Sequence, residues 1–187
     1  RMGRVERAKA IHRLADLMEE RADDLARMDS TNMAKPFEQA KHDVARSVWN
    51  FRFFADHQRD AVGEVYPMDS GHHTYSEFGP AGVVAAISPW NFPLMMASWK
   101  IAPAIAWGNT CIIKPSEDTP ASVTLLGGLA VEAGFPPGVL NVVNGYGAPA
   151  GATLTGDDRV DRVTFTGSST TGKHVMASAA THLAPVS

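Results

Sequence analysis

The chain has 187 residues, 44% of them hydrophobic, and a formal net charge of −3. That length suits about one domain with a sizeable hydrophobic core. The slight acidic balance, with a sequence pI near 6.2, gives no electrostatic reason to expect nucleic acid or an anionic membrane as a partner, and no apolar stretch reaches the length of a membrane span.

The cysteine count and the two ends of the chain bear on its setting. One cysteine excludes an internal disulfide, so a reducing, cytoplasmic compartment is the expectation. The chain begins at Arg1, already inside a charged helical pattern and with no signal peptide, and ends on the apolar segment "THLAPVS". We therefore expect a piece of a longer protein, truncated at both ends.

The first third of the chain has the apolar periodicity of amphipathic helices. Spacings of three and four predict one helix over residues 4–29. A second helix is expected after Pro36, because proline suits a first helical position. Both helices are interpreted as scaffold, since such stripes usually pack in a core. The apolar positions are Ile11, Leu14, Met18, Ala22, Leu25 and Met28 in the first helix, and Val44, Val48, Phe51 and Ala55 in the second.

Residues 63–79 break this pattern. The segments "GEVYP" and "HHTYSEFGP" predict short extended strands joined by a polar turn, which would form an arm or hairpin. His72 and His73 are adjacent, so on a strand they would point to opposite faces. That arrangement argues against a metal pair, and no cysteine or histidine spacing elsewhere suggests zinc, so no metal site is expected.

From residue 83 onwards, predicted strands alternate with predicted helices. This alternation indicates an α/β fold with a Rossmann-like parallel sheet and helices on both faces. In such sheets ligands bind beyond the carboxyl ends of the strands, where "SPWNFP", "KPSEDTP", "NGYGAPAG" and "TGSSTTG" would lie. The strands are expected at 83–87, 110–114, 139–143 and 162–166. The first helix is expected at 93–106, bent by Pro103 and ended by Gly108, and the second is expected to open at Thr119-Pro120 and stop at Gly134. A short helix should follow "NGYGAPAG", and a last one should run from "GSSTTG" to about Ala180.

The "VTFTGSSTTGKH" segment reads as a strand, a turn of small residues and a helix start. Backbone N–H groups at a helix N-terminus bind anions. Gly167 would let a phosphate approach the backbone, and Ser168 would add a hydroxyl donor. A tight turn with a serine cap explains the same residues, and the loop alone does not separate the two.

The same segment also nearly matches a Walker A loop. Gly167, Gly172 and Lys173 have the required spacing, but the next residue is His174 where serine or threonine should hold magnesium. Neutral imidazole is a poor magnesium ligand, and no Walker B aspartate follows. Phosphate hydrolysis is therefore disfavoured.

The segment "IIKPSE" ends a predicted strand with Lys114 and places Glu117 three residues later. A carboxylate there can accept two hydrogen bonds from a ribose diol and would repel a 2′-phosphate, which favours NAD over NADP. The alternative is a glutamate that caps the helix near Pro120, with Lys114 as a solvated strand end.

Two further residues invite a catalytic reading. Asn91 lies between two prolines, and its amide could donate to an oxygen that becomes negative during a reaction; alternatively it satisfies loop carbonyls. Cys111 lies within an apolar strand, where a desolvated thiol is inert, so we expect it to be structural.

Taken together, these segments resemble the aldehyde dehydrogenase superfamily. The motifs "PWNFP", "WKIAPAIAWGNTCIIKPSE", "AGFPPGVLNVVNGYG" and "VTFTGSSTTGK" stand in the order that this family uses, from about Leu25 to the last residue. The resemblance implies an NAD(P)-dependent enzyme that oxidises aldehydes to acids. It also implies that Asn91 contributes to the oxyanion hole and that Lys100 takes part in a proton relay.

The resemblance assigns the remaining loop residues to the cofactor. Lys114 and Glu117 match the pair that holds the adenosine ribose, and Ser168, after Gly167, matches a serine on the pyrophosphate. Ser116 and Thr171 join them as cofactor-binding residues. Gly147 and Gly151 match glycines that flank the adenine pocket, while Ser88, Pro89 and Trp90 match a wall along the cofactor. Asn91, next to this wall, is expected to contact the cofactor as well.

The resemblance also implies how the chain is organised. Residues 1–62 would be helices packed on the cofactor domain, 63–79 part of an arm that pairs subunits into a homodimer or homotetramer, and 80–187 an incomplete NAD-binding domain. The family's catalytic cysteine and general-base glutamate belong to segments that would follow, so we expect this chain to be inactive alone, with an exposed sheet edge that invites association. The alternative is a non-catalytic nucleotide-binding or assembly module with the same fold.

Overall fold

The computed structural model describes residues 2–187. Within this range the chain forms helices α1–α7 and strands β1–β6. The helices are α1 (Arg4–Glu20), α2 (Ala22–Met33), α3 (Phe37–Asp60), α4 (Pro93–Ala106), α5 (Ala121–Glu132), α6 (Ala152–Gly156) and α7 (Ser169–Ala180). The strands are β1 (Val65–Tyr66), β2 (Thr74–Tyr75), β3 (Val83–Ile87), β4 (Thr110–Lys114), β5 (Leu140–Val142) and β6 (Arg162–Phe165).

Strands β3 to β6 form a parallel sheet in the order β5-β4-β3-β6. The α/β fold with a parallel sheet is therefore confirmed. The chain moves outward from β3 through β4 to β5 and then returns to the other side of β3. That reversal between β3 and β6 creates a topological switch point, which is where such sheets bind ligands. The last residues continue the sheet beyond β6, because Val163 forms a parallel bridge with Val186.

The two faces of the sheet pack into two separate hydrophobic cores. Val84 and Ala86 of β3 lie in the larger core, with residues of α1 to α5. Ala85, between them, faces the smaller core, with Val163 and Val175. Successive strand residues point to opposite faces, so β3 is buried on both sides. The prediction of helices on both faces is confirmed.

The prediction of a single helix over 4–29 is wrong. The chain forms α1 and α2, separated at Arg21, whose backbone (φ −108°, ψ 23°) leaves the helical region. The bend lets Leu14 and Leu25, both fully buried, reach the same core. Apolar spacing continues across the break, so periodicity predicted the packing face and missed the bend.

The predicted start of α5 also needs correction. Thr119 does not cap this helix, because its Oγ1 is buried without a hydrogen-bond partner among residues 2–187. The helix begins at Ala121, and the Ala121 N–H donates instead to Oδ1 of Asn32, at the end of α2, over 3.3 Å. A cap that comes from a distant helix leaves no local sequence signal.

The remaining elements follow the predictions closely. Helix α3 starts directly after Pro36, and its predicted inner stripe is buried. Strands β5 and β6 are shorter than predicted, ending at Val142 and Phe165. Gly108 adopts a positive φ of 85° just past the end of α4, as a helix-ending glycine does.

Residues 63–79 form the predicted hairpin. Strands β1 and β2 are antiparallel, with Val65 opposite Tyr75, and both are exposed. His72 and His73 precede β2 instead of lying on it. In residues 2–187 no group of three or more histidine, cysteine or acidic side chains could hold a metal ion, and none of the helices described is both long and apolar enough to cross a membrane.

We predict that Phe51→Ala will destabilise the fold far more than Phe53→Ala. Phe51 is fully buried, whereas Phe53 on the same helix is 43% exposed. Removing a buried phenylalanine costs about 3–5 kcal/mol, while Phe53 should lose about 1 kcal/mol through its aromatic contacts. Urea unfolding followed by circular dichroism measures both free energies of unfolding, and equal losses would contradict the packing described here.

Candidate nucleotide site at the carboxyl edge of the sheet

The loops after β3, β4, β5 and β6 all lie at one edge of the sheet. The strands are parallel and in register, so Ile87 at the end of β3 lies opposite Lys114 of β4 and Phe165 of β6. The four loops predicted to share an edge therefore do so.

A cavity of about 410 Å³ opens between these loops at the switch point. Its lining combines strand ends, the third loop and α7, and it is mostly apolar. The volume lies in the range of small-molecule sites, which are typically apolar with a few polar groups. The lining residues are Ile87, Lys114, Gly147, Ala148, Gly151, Ala152, Thr155, Phe165, Thr171, His174, Val175 and Ser178.

Lys114 and Glu117 form an ion pair at the rim of this cavity. The Lys114 ammonium donates to Glu117 Oε2 over 2.7 Å, with the lysine side chain 4% exposed and the glutamate side chain 38% exposed. The hydrogen bond from Lys114 is the main cause that lowers the pKa of Glu117, so its carboxylate stays ionised. The alternatives of a solvated Lys114 and a capping Glu117 are wrong, since the two side chains bind each other and the glutamate keeps an exposed face.

The loop after β6 presents Ser168 at the start of α7. Ser168 is the N-cap, and its Oγ accepts from the Thr171 N–H over 3.2 Å. A Cβ at Gly167 would lie 2.5 Å from Cζ of the Phe165 ring, so a larger residue there would displace that ring. The serine cap is thus observed, and the remaining amides at the start of this helix are directed as in anion sites.

The third loop brings backbone close to the cavity. Residues Gly147–Gly151 form a wide turn between β5 and α6. Gly151 is buried, and a Cβ there would come no closer than 4.0 Å to Ile87; at Gly147 nothing lies within 4 Å of that position. The space beside Gly147 is open to a ligand. The Gly147 backbone also contributes to lowering the pKa of Glu117, so the second and third loops meet at that carboxylate.

The loop after β3 contains the residues predicted to line the cofactor, 88–90, and the predicted amide donor, Asn91. Ser88 is buried, and its Oγ lacks a hydrogen-bond partner among residues 2–187. Pro89 is half-buried and Trp90 is 56% exposed. Ser116, on the neighbouring loop, is half-buried and accepts from the Asp118 N–H over 3.4 Å.

Asn91 is exposed, so it does not satisfy buried loop carbonyls. Its own carbonyl accepts from Lys35 Nζ over 3.1 Å, and across residues 2–187 its side-chain amide has no hydrogen-bond partner. The donor is therefore available to a ligand.

Lys100 lies inside α4, as predicted, and points toward the loop after β6. It is 8% exposed and donates to Thr166 Oγ1 over 2.6 Å. Burial lowers the pKa of Lys100.

Cys111 is fully buried, and desolvation raises the pKa of its thiol to about 12. The prediction that Cys111 is structural agrees with this geometry, since a protonated thiol inside the core is no nucleophile.

The Walker A alternative finds no support in the structure. Helix α7 begins at Ser169, so Gly172 and Lys173 are already helical instead of lying in a phosphate-wrapping loop. His174 lines the cavity.

Several site residues escaped the sequence argument. Thr155 and Phe165 line the cavity, and Thr166 binds Lys100. Thr155 lies in the short helix α6, in a sequence with no recognisable motif. Thr166 precedes the glycine-rich turn, but only the folded chain brings Lys100 of α4 to it.

A larger cavity of about 630 Å³ lies at the opposite, amino-terminal edge of the sheet. Arg4, Arg7 and Glu77 are the charged residues that line it. Arg7 is occupied within the chain, with Nε donating to the Ala106 carbonyl over 3.0 Å and Nη2 to Gln58 Oε1 over 3.3 Å. None of the four loops reaches this cavity. We therefore place the candidate site at the smaller cavity, where topology concentrates ligand-binding loops.

Comparison with known proteins matches this architecture. A model of the aldehyde dehydrogenase family covers residues 1–187, so the chain belongs to the aldehyde dehydrogenase family. Human retinal dehydrogenase 2 is 44% identical over 180 residues, covering 96% of this chain and 35% of that protein. The 5-carboxymethyl-2-hydroxymuconate semialdehyde dehydrogenase of Escherichia coli is 43% identical over 175 residues, covering 93% of this chain and 37% of its own length.

A solved structure agrees with these relatives. The NAD+ complex of an aldehyde dehydrogenase from Bacillus cereus superposes with a TM-score of 0.96 and 41% identity, covering 99% of this chain and 38% of that one. The chain spans a little over a third of the length of these relatives.

We predict that Cys111 will resist alkylation in the folded protein. With its thiol pKa raised to about 12, the thiolate fraction at pH 8 falls roughly 10³-fold below that of an exposed cysteine. Iodoacetamide labelling followed by mass spectrometry should be slow in buffer and fast in 8 M urea. Labelling at similar rates in both conditions would show an accessible, reactive thiol.

Proposed function

We propose that this chain is the NAD-binding portion of an NAD-dependent aldehyde dehydrogenase that oxidises an aldehyde to a carboxylic acid. The observation that carries the proposal is the Lys114–Glu117 pair at the rim of the switch-point cavity, at the same edge as the exposed amide of Asn91. The NAD+ complex of the Bacillus cereus enzyme supports the choice of cofactor.

The residues present fit a dinucleotide. The ionised Glu117 carboxylate would accept from a ribose diol, and Lys114 fixes its orientation. The amides at the start of α7, with Gly167, Ser168 and Thr171, would hold the pyrophosphate. NAD, once bound, supplies the hydride acceptor. Glu117 disfavours a 2′-phosphate by charge, but its pairing with Lys114 weakens that repulsion, so NADP stays possible as a second cofactor.

The adenine end would be held differently. Gly147 and Gly151 leave open space at the cavity, where an apolar wall suits a base. Ser116 lies on the Glu117 loop beside this site. Ser88, Pro89 and Trp90 then extend from the end of β3 and would line the path toward the reacting carbon.

Asn91 would serve the aldehyde itself. We propose that its side-chain N–H donates to the aldehyde oxygen as this oxygen gains negative charge, which stabilises the transition state more than the ground state. The donor is unpartnered and exposed in this structure, as such a role requires. Lys100, buried and bonded to Thr166, would act further along α4 in a proton relay.

The nucleophile and the general base would come from elsewhere. The single cysteine of the chain is buried in strand β4 with a raised pKa, so it cannot attack an aldehyde. We propose that a cysteine and a glutamate outside residues 1–187 complete the site and that this chain alone is inactive. Reading the gene beyond Ser187 separates the enzyme from a non-catalytic nucleotide-binding or assembly module, which would lack that pair.

The setting of the enzyme is part of the proposal. The exposed β1–β2 hairpin within 63–79 would belong to an arm that pairs subunits, giving a homodimer or homotetramer. A reducing, cytoplasmic location is proposed from the single, unpaired cysteine.

We predict that Asn91→Ala in the complete gene product will lower kcat by about 10²–10³-fold, the cost of removing one oxyanion-hole donor. The KM for NAD should change little, because Asn91 lies outside the cavity that would take the adenosine. Steady-state kinetics with a short-chain aldehyde measures both constants. Asn141→Ala is the matched control, since this asparagine lies on strand β5 and its side chain donates to the nearby Gly138 carbonyl. An unchanged kcat in Asn91→Ala would refute the oxyanion role.

A further inference from the structure

The connection between α2 and α3 contacts the loop that carries Asn91. Lys35, in that connection, donates through Nζ to the Asn91 carbonyl over 3.1 Å. The same ammonium lies 3.9 Å from the centroid of the Phe92 ring. One side chain from the N-terminal helices therefore contacts two consecutive residues of the loop that carries the amide donor.

The Lys35 ammonium is itself fixed in place. It forms an ion pair with Asp43 Oδ2 over 2.5 Å, and the side chains of Lys35 and Asp43 are only 8% and 15% exposed. The Lys35 backbone is held as well, since Ser30 Oγ donates to its carbonyl over 2.7 Å. The preceding Ala34 adopts a left-handed conformation (φ 54°) that ends α2 and turns the chain toward the loop. Such a clamp leaves the ammonium little freedom.

A second contact, from α2, holds the start of the helix that follows the loop. The Leu94 N–H, in the first turn of α4, donates to Oδ2 of the buried Asp29 over 3.4 Å. The segment from Asn91 to Leu94 is thus held near both ends by side chains of one distant helix and its C-terminal connection. Neither contact involves the Asn91 amide, which stays free.

We propose that Lys35 is a positioning residue that sets the direction of the Asn91 side-chain amide. This inference rests on the proposed function of Asn91. Holding the Asn91 carbonyl fixes the peptide plane from which its side chain leaves, and a donor must already be aimed before charge develops. The buried ion pair with Asp43 is by itself weak evidence that Lys35 stabilises the fold. The hydrogen bond from the same ammonium to the Asn91 carbonyl instead fixes the position of the Asn91 backbone. Misplacing a catalytic group by about 1 Å can cost about 10²-fold in rate.

The test compares variants of the complete gene product. Lys35→Met removes the tie, and Lys35→Met combined with Asp43→Asn removes it without leaving a buried carboxylate unpaired, in case the single variant fails to fold. Lys35→Arg keeps the charge. Lys41→Met is the matched control, because Lys41 has an exposed ion pair with Glu38 at 3.8 Å and a distant aromatic contact with Phe37 at 5.7 Å.

Two readouts are needed: kcat with KM for NAD, and amide hydrogen exchange of the segment 91–96. We expect kcat to fall about 10- to 100-fold in the Lys35→Met variants, with the KM for NAD within about twofold. Exchange of 91–96 should become faster, Lys35→Arg should recover part of kcat, and Lys41→Met should match the unmodified protein.

The outcomes separate this proposal from the one it rests on. Unchanged exchange in 91–96, or a faster exchange with unchanged kcat while Asn91→Ala is impaired, would overturn the positioning role of Lys35 alone. An unchanged kcat in Asn91→Ala would overturn the oxyanion role and this proposal together. A fall in kcat matched by Lys41→Met would also overturn it, since the effect would then not depend on the contact with Asn91.

Discussion

The parallel register of three central strands is the constraint on which the site depends. Because β3 pairs with β4 on one side and β6 on the other, Ile87, Lys114 and Phe165 end side by side. The crossover that returns the chain to β6 opens a crevice between loops that would otherwise be separate turns. No single loop forms a site, and the chemistry proposed here requires that all of them meet at one edge.

The charged groups at that edge, Lys114 and Glu117, differ in burial and form an ion pair. Lys114 is buried at a strand end, and its charge is compensated by Glu117, whose carboxylate stays partly exposed. Residues from the N-terminal part of the chain also reach this region, because Asn32 caps α5, and Lys35 and Asp29 bond Asn91 and Leu94. Residues of α2 and of the connection after it thus contact both the loop after β3 and the start of α5.

The sequence predicts this fold well where the signal is periodic or local. Buried runs gave the strands, and Gly108 marked the end of α4. The sequence does not predict the break between α1 and α2, because the bend at Arg21 preserves the apolar spacing. It does not predict the cap of α5 either, because that cap comes from the distant Asn32. In the candidate site, local motifs predicted Glu117 and Ser168, because each lies in a short loop of glycine, proline or small polar residues directly after a predicted strand. Lys35 and Thr166 carry no such signal, since their roles depend on neighbours 56 and 66 positions away.

Hydrogen exchange with and without NAD tests the central claim most directly, because the two edges of the sheet carry distinct cavities. In the complete gene product, NAD should protect backbone amides in segments 113–118, 144–152 and 166–172, at the carboxyl edge. Segments 77–80 and 107–110, at the amino edge, should exchange as before. Protection confined to the amino edge, or scattered over both edges, would contradict the assignment of the dinucleotide site.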